Sequence, residues 1–157
     1  MSVEKVRQYL KQFHVDEKIL VLDQSSATVE LAAEAVGCEP ARIAKTLSFY
    51  LSGQPILIVT AGDTKVDNKK FKEEFGIKAK MIPFSEVEKA VGHLPGGVCP
   101  FAVNRGVKVY LDKSMKRFSS VLPAAGSGNS AIEMTMEELE RCAKPEKWVD
   151  VCKNMGE

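Results

Sequence analysis

Apolar and polar residues alternate along Ile43-Ala44-Lys45-Thr46-Leu47-Ser48-Phe49-Tyr50-Leu51-Ser52, a period of two that predicts a β-strand. Ile43, Lys45, Leu47, Phe49 and Leu51 form the core-facing set, and Ala44, Thr46, Ser48, Tyr50 and Ser52 point to the other face. Lys45 is therefore a cation in register with core side chains. Its ammonium must snorkel to water, meet an anion or serve a polar ligand in a recess.

Helical spacing of Val3, Val6, Tyr9, Leu10 and Phe13 predicts an amphipathic helix over 2–13, followed by a short strand over 18–22. Thr28 is placed to cap a helix that runs to Val36 and stops at Gly37. After the Lys45 strand, Gly53-Gln54 predicts a hairpin turn into a buried strand over 55–61. A loop is expected over 62–66, then a helix capped by Asp67 and running through Phe75 to Gly76. A strand over 78–82 follows. Ser85-Glu86-Val87-Glu88 has the pattern of a capping box opening a short helix that ends at Gly92. Strands are predicted over 107–111, 119–124 and 131–134. Thr135-Met136-Glu137-Glu138 is a second capping box, for a helix over 136–143, and the tail 145–152 reads as one more short helix docking Trp148. Several strand connections are too short for a crossover helix, so a regular doubly wound sheet is excluded. The expectation is an α+β fold with a mixed, mostly antiparallel sheet, curled into a barrel-like core flanked by helices.

With 157 residues, 45% hydrophobic and 27% charged, the chain fits one globular domain spanning 1–157. Its net charge of +1 gives no global field for nucleic acid, so RNA contact would rest on a local patch. The longest apolar run, 55–61, is too short to span a bilayer. The charged residues in Met-Ser-Val-Glu-Lys-Val-Arg stand where a secretion signal needs an apolar run, so a cytoplasmic protein with no membrane partner is expected. Cys38, Cys99, Cys142 and Cys152 form no CxxC pair and read as reduced packing thiols; no metal or other cofactor is expected.

Two loops concentrate small and conformationally permissive residues. In Gly92-His93-Leu94-Pro95-Gly96-Gly97-Val98-Cys99-Pro100-Phe101, Gly96 and Gly97 can present bare N–H groups to a ligand. In Gly126-Ser127-Gly128-Asn129-Ser130, hydroxyls and an amide can bind a sugar, an amino acid or a carbonyl oxygen. Standard catalytic motifs are missing. His14 reads as a surface or capping residue, His93 as a candidate substrate contact, and Cys99 as a nucleophile without an identifiable base. Lysines cluster at Lys65, Lys69, Lys70 and Lys72, at Lys78 and Lys80, and with Arg117 at Lys113 and Lys116. Such runs are usually solvated faces, yet they carry enough charge to hold a phosphate backbone in a salt-sensitive way.

Five motifs occur in order: Ala44-Lys45-Thr46-Leu47, Gly62-Asp63 with Val66-Asp67, Gly96-Gly97-Val98-Cys99-Pro100-Phe101, Val109-Tyr110-Leu111-Asp112, and Ala125-Gly126-Ser127 before Ile132-Glu133. Together they resemble the YbaK family of aminoacyl-tRNA deacylases and the editing domain inserted in bacterial prolyl-tRNA synthetases, over roughly Thr28 to Ala143. The resemblance implies a curled mixed sheet whose cleft takes the 3′ acceptor end of a mischarged aminoacyl-tRNA, with prolyl-tRNA synthetase as a candidate partner. The family's signature lysine falls on Lys45, its G-x-x-x-P loop on Gly96 to Pro100, and its small polar loop on Gly126 to Ser130. Members of the cysteinyl-tRNA type often carry a basic Gly-Arg-type sequence at that second loop. Ser-Gly-Asn-Ser stands there instead, which leaves the preferred amino acid open.

The expected activity is hydrolysis of the ester of Cys- or Ala-tRNA for proline. Lys45, Gly96 and Gly97 are the expected catalytic residues, Lys45 positioning the tRNA end and the glycine N–H groups stabilising the oxyanion. Thr46, Pro100, Gly126, Ser127, Asn129 and Ser130 are the expected substrate contacts. The competing readings are a non-catalytic tRNA-end or synthetase-binding module of the same fold, and a hydrolase using Cys99.

Overall fold

The computed structural model describes residues 2–155. Among them, five α-helices, α1 (Ser2–Lys11), α2 (Val29–Val36), α3 (Asn68–Phe75), α4 (Val87–Val91) and α5 (Met136–Ala143), are interspersed with ten short strands. These are β1 (Ile19–Val21), β2 (Ile43–Leu51), β3 (Gln54–Ala61), β4 (Thr64–Val66), β5 (Lys108–Asp112), β6 (Ser120–Pro123), β7 (Ser130–Ile132), β8 (Met134–Thr135), β9 (Lys147–Val149) and β10 (Cys152–Asn154). Six strands form one sheet in the order β8-β6-β2-β3-β5-β9, and the pairs β1-β7 and β10-β4 flank it. Among the described residues four of the seven strand pairings are antiparallel (β1-β7, β10-β4, β2-β3 and β6-β8) and three are parallel. The fold is α+β, and the mixed sheet curls into half a barrel.

Local chemistry sets the helix ends. Thr28 accepts from the Leu31 N–H, Asp67 from those of Lys69 and Lys70, and Thr135 with Glu138 closes a reciprocal capping box. The predicted box at Ser85 does not form. Residues Phe84–Glu86 make a 3-10 turn tied by Glu86 N–H to Pro83 O at 2.8 Å, and α4 starts after it without a side-chain cap. Other differences from the sequence expectation lie where strands depend on distant partners. The stretch 62–66 is no simple loop: it contains β4, which pairs with β10, and β9 and β10 replace the helix expected in the tail. The strand expected over 78–82 reduces to a single bridge between Phe49 and Met81, with hydrogen bonds from Tyr50 N to Lys80 O and from Ile82 N to Ser48 O. The stretch 131–134 divides between β7 and β8, and α1 ends at Lys11.

The central strands are covered on both sides. On one face Leu57, Val59, Ala61, Val109 and Leu111 pack with Val6 and Leu10 of α1 and with Leu139 and Cys142 of α5. On the other, Phe49, Ile56, Ile58 and Tyr110 pack with Phe71 and Phe75 of α3. Ring centroids there lie 5.1 Å (Phe49–Phe71), 4.7 Å (Phe71–Phe75) and 5.1 Å (Phe75–Tyr110) apart. Each such aromatic pair adds roughly 0.5–1.5 kcal/mol beyond area burial. The register Lys45↔Thr60, Leu47↔Ile58 and Phe49↔Ile56 places Lys45 on this aromatic face, as its parity predicts. The opposite set is not solvent-facing, since Ala44 and Ser48 are buried too.

Candidate functional site

The pairing of β2 with β6 ends after two residue pairs, Ile43↔Leu122 and Ala44↔Pro123. Farther along the same edge, β2 bonds to the 80–82 segment through Ser48 and Tyr50. Backbone groups alternate between the two edges of a strand, so Thr46 directs its N–H and C=O to this edge, between the two partners. A cavity of about 300 Å³ lies against this stretch of β2, on the β6 side. Its walls come from β2 (Ile43 to Leu47), from the approach to α2 and its first turns (Ser26 to Val29, and Ala32), from Gly96 and Val98, and from Leu122, Ala124, Ser130 and Ala131.

Lys45 is the one ionisable side chain among these lining residues. Its Nζ donates to the carbonyl of Thr64, whose own Oγ1 donates to Ala61 O at 2.7 Å. Burial pushes the Lys45 ammonium below its ordinary pKa, opposed in part by Cys152, Asp63 and Glu30. Next to it, Thr46 Oγ1 is buried without a partner among the described residues. A buried hydroxyl in that condition is a hydrogen-bonding group in want of a ligand or water.

The two glycine loops meet beside the cavity. A Cβ on Gly97 would lie 2.6 Å from Ser127 Cα and 2.7 Å from Ser127 N, so this approach requires glycine. The Gly97 N–H donates to Leu94 O at 3.0 Å, however, and is not available as an oxyanion donor. Gly96 (φ 90°) and Val98 line the cavity, and their N–H groups donate to no protein acceptor among the described residues. In the second loop, Ser127 Oγ lies 2.8 Å from Asn129 Oδ1 and 2.9 Å from Ser130 Oγ. Bonds from Leu22 N to Asn129 O and from Ser26 N to Gly128 O, both 2.7 Å, tie the loop to the segment preceding α2.

Of the residues singled out from sequence, Lys45, Thr46, Gly96 and Ser130 converge on the cavity. Gly97, Gly126 and Ser127 form the packed junction behind it, Pro100 is buried away from it, and Asn129 is exposed with its amide on Leu22 O. Sequence reasoning passed over the Ser26–Val29 wall, whose only signal was a run of small polar residues ahead of the Thr28 cap.

Cys99 and His93 are both fully buried outside the cavity, with Sγ and Nε2 3.6 Å apart. His93 Nε2–H donates to Phe101 O at 2.7 Å, so that nitrogen carries its proton and cannot accept one from the thiol. Burial pushes the Cys99 thiol up to about 12 and lowers the His93 pKa. The pair closes the base of the glycine loop. Among the described residues no group of three or more His, Cys, Asp or Glu side chains could hold a metal, and no helix is long and apolar enough to cross a membrane.

This combination of a curled mixed sheet and a lysine cavity beside two interlocked glycine loops coincides with a family match over residues 23–142. The chain belongs to the aminoacyl-tRNA editing domain family. It is 50% identical over 155 residues, 98% of this chain and 99% of the relative, to the uncharacterized protein YwhH of Bacillus subtilis (strain 168). It is 26% identical over 130 residues to a proline–tRNA ligase of Bacillus licheniformis, a match covering 81% of this chain and 22% of the ligase. A crystal structure described as a candidate trans-editing enzyme for prolyl tRNA synthetase is similar at 26% identity, with a TM-score of 0.87 and 98% of each chain covered.

Proposed function

We propose that this chain is a free-standing, cytoplasmic aminoacyl-tRNA deacylase, a single editing domain that hydrolyses the ester of tRNA for proline mischarged with alanine or cysteine. The observation that carries this reading is that Lys45, Thr46 with its partnerless hydroxyl, and Gly96 and Val98 with N–H groups that have no protein acceptor among the described residues all line one small cavity. Family membership and the likeness to a proline–tRNA ligase support it.

In this mechanism Lys45 binds the phosphate or ribose oxygens of the terminal adenosine and orients the ester. Water adds to the carbonyl carbon, and the oxygen that becomes negative is stabilised by the Gly96 and Val98 N–H groups. The C–O bond to the ribose then breaks, and the ribose oxygen leaves with a proton from the attacking water. No carboxylate or imidazole lies among the lining residues and Lys45 is taken up in orienting the substrate, so in this reading the substrate's neighbouring ribose hydroxyl or α-amino group positions that water. Positioning is itself a large contribution to rate. The amino-acid side chain lies against the apolar end formed by Ala32, Ile43 and Leu122. Selection by such a wall is worth about 1–3 kcal/mol per methylene.

The test is hydrolysis of a panel of aminoacyl-tRNAs, including alanyl- and cysteinyl-tRNA for proline, by the wild type and Lys45→Ala. Release of a small amino acid that depends on Lys45 supports the reading. Tight binding of the panel without turnover would convert it to that of a binding module, and a fully active Lys45→Ala variant would end the proposed role of Lys45.

A further inference from the structure

Two of the basic clusters of the sequence, the one around Lys65 to Lys70 and the one around Lys113 to Arg117, come together on the side of the molecule to which Lys45 reaches; Lys78 and Lys80 line a separate recess. Lys45 Nζ is bonded to Thr64 O, and the next residue, Lys65, lies directly across from Lys153 in the β4–β10 pair. Like charges facing each other on antiparallel strands are destabilising. Among the described residues neither lysine forms an ion pair with a carboxylate.

Lys153 borders a recess of about 370 Å³ that Lys70, Lys113 and Arg117 also line. The carboxylates there are already engaged. Asp112 accepts from the N–H groups of Ser114 and Val151, Asp150 bridges Lys70 and Lys113, and Asp63 is held by Arg117. Lys69, on the first turn of α3, adds another cation without a carboxylate partner. In a chain whose net charge is only +1, this is a local concentration of positive charge, with a lysine–lysine repulsion that no salt bridge relieves among the described residues and that the Asp67 carboxylate, near Lys153, offsets only at longer range.

We propose that the β4–β10 face, centred on Lys65 and Lys153, is the docking surface for the phosphate backbone of the tRNA acceptor stem. The inference rests on the deacylase reading for its choice of RNA. The cavity would take the terminal aminoacyl-adenosine while the paired lysines hold the stem that leads to it. Sugar-phosphate contacts of this kind add affinity and orientation without reading sequence.

Lys65→Glu gives a test in which folding and binding move in opposite directions. An opposite-charge pair with Lys153 replaces the repulsion, so the thermal midpoint rises by about 1–2 °C. Binding of an uncharged, fluorescently labelled acceptor-stem hairpin ending in CCA weakens roughly tenfold at low salt, and the slope of log affinity against log salt falls by about one or more. Lys11→Glu, at the end of α1, serves as the charge-matched control. Hairpin affinity unchanged by Lys65→Glu, or lowered no more than by Lys11→Glu, overturns the inference. So does a wild type that binds anionic lipid vesicles but not the hairpin. Hydrolysis of an aminoacyl-CCA trinucleotide, too short to cover this face, separates the two claims. If it persists in the wild type while Lys65→Glu leaves hairpin binding intact, the surface is wrong and the deacylase reading stands. If neither it nor full-length alanyl- or cysteinyl-tRNA for proline is hydrolysed while hairpin binding depends on Lys65, the surface stands and the reading falls.

Discussion

The Lys45 cavity and the Cys99–His93 pair invite opposite first impressions. The pair has the residue types and spacing of a nucleophile with its base, yet both side chains are fully buried and the histidine nitrogen nearest the sulfur is committed to Phe101 O. The cavity is lined by no thiol, imidazole or carboxylate, but the residues around it supply a half-buried cation, an unpartnered hydroxyl and backbone N–H groups without a protein acceptor among the described residues. Reactivity follows access and unspent hydrogen-bonding capacity more than residue type. An aminoacyl ester is already activated, so the proposed deacylation asks for a site of the second kind more than for one of the first.

Lys45→Ala gives the largest expected separation of the two regions. It lowers kcat/KM for deacylation by about a hundred-fold or more, the scale of removing one strong transition-state contact. Steady-state kinetics on alanyl-tRNA measures it, and retained activity would break the comparison. Gly97→Ala is next. Its new methyl collides with the Ser127 backbone, so the loops must separate at a cost of about 1–3 kcal/mol, read from denaturant unfolding, with a parallel loss of activity. Cys99→Ala should cost only about 1 kcal/mol of stability and leave turnover essentially intact. In the folded wild type, Cys99 should resist alkylation at pH 8 while the partly exposed Cys38 reacts first, which peptide mapping resolves. Loss of turnover in Cys99→Ala would restore the thiol as a nucleophile.

The smallest expected effect concerns Asp63, near the Lys45 end of the site. The Arg117 guanidinium holds its carboxyl below the ordinary range, so the folded state binds fewer protons there than the unfolded chain. That stabilisation is present above about pH 4 and is lost as pH falls through the lowered value. Both side chains are substantially exposed, so Arg117→Ala should cost less than about 1 kcal/mol at neutral pH, with a difference from wild type that fades in acid. Urea midpoints measured across pH check it.

Most elements governed by short-range chemistry were legible in the sequence, the Ser85 box excepted. The caps at Thr28, Asp67 and Thr135 and the hairpin at Gly53-Gln54 depend on neighbours a few residues away, and each stands where its pattern predicts. Strands β4, β9 and β10 were not legible. Three-residue strands carry almost no periodicity, and each exists because a distant segment supplies its partner. The site divides in the same way. Parity exposed Lys45, and the Gly-Gly pair exposed Gly96. The wall from Ser26 to Ala32 is brought in only by tertiary packing, and the bond that occupies the Gly97 N–H cannot be inferred from composition.

The early parting of β2 from β6 has a consequence for how such a protein changes over time. The chamber lies beside an unfinished ladder, with Leu122 and Ala124 in its wall where two strands stop zipping together. A substitution that let them zip one step farther would draw that wall toward β2 and narrow the chamber. New selectivity is therefore more readily reached by resizing Ala32 or Leu122 at the chamber's end than by altering the seam that holds it open.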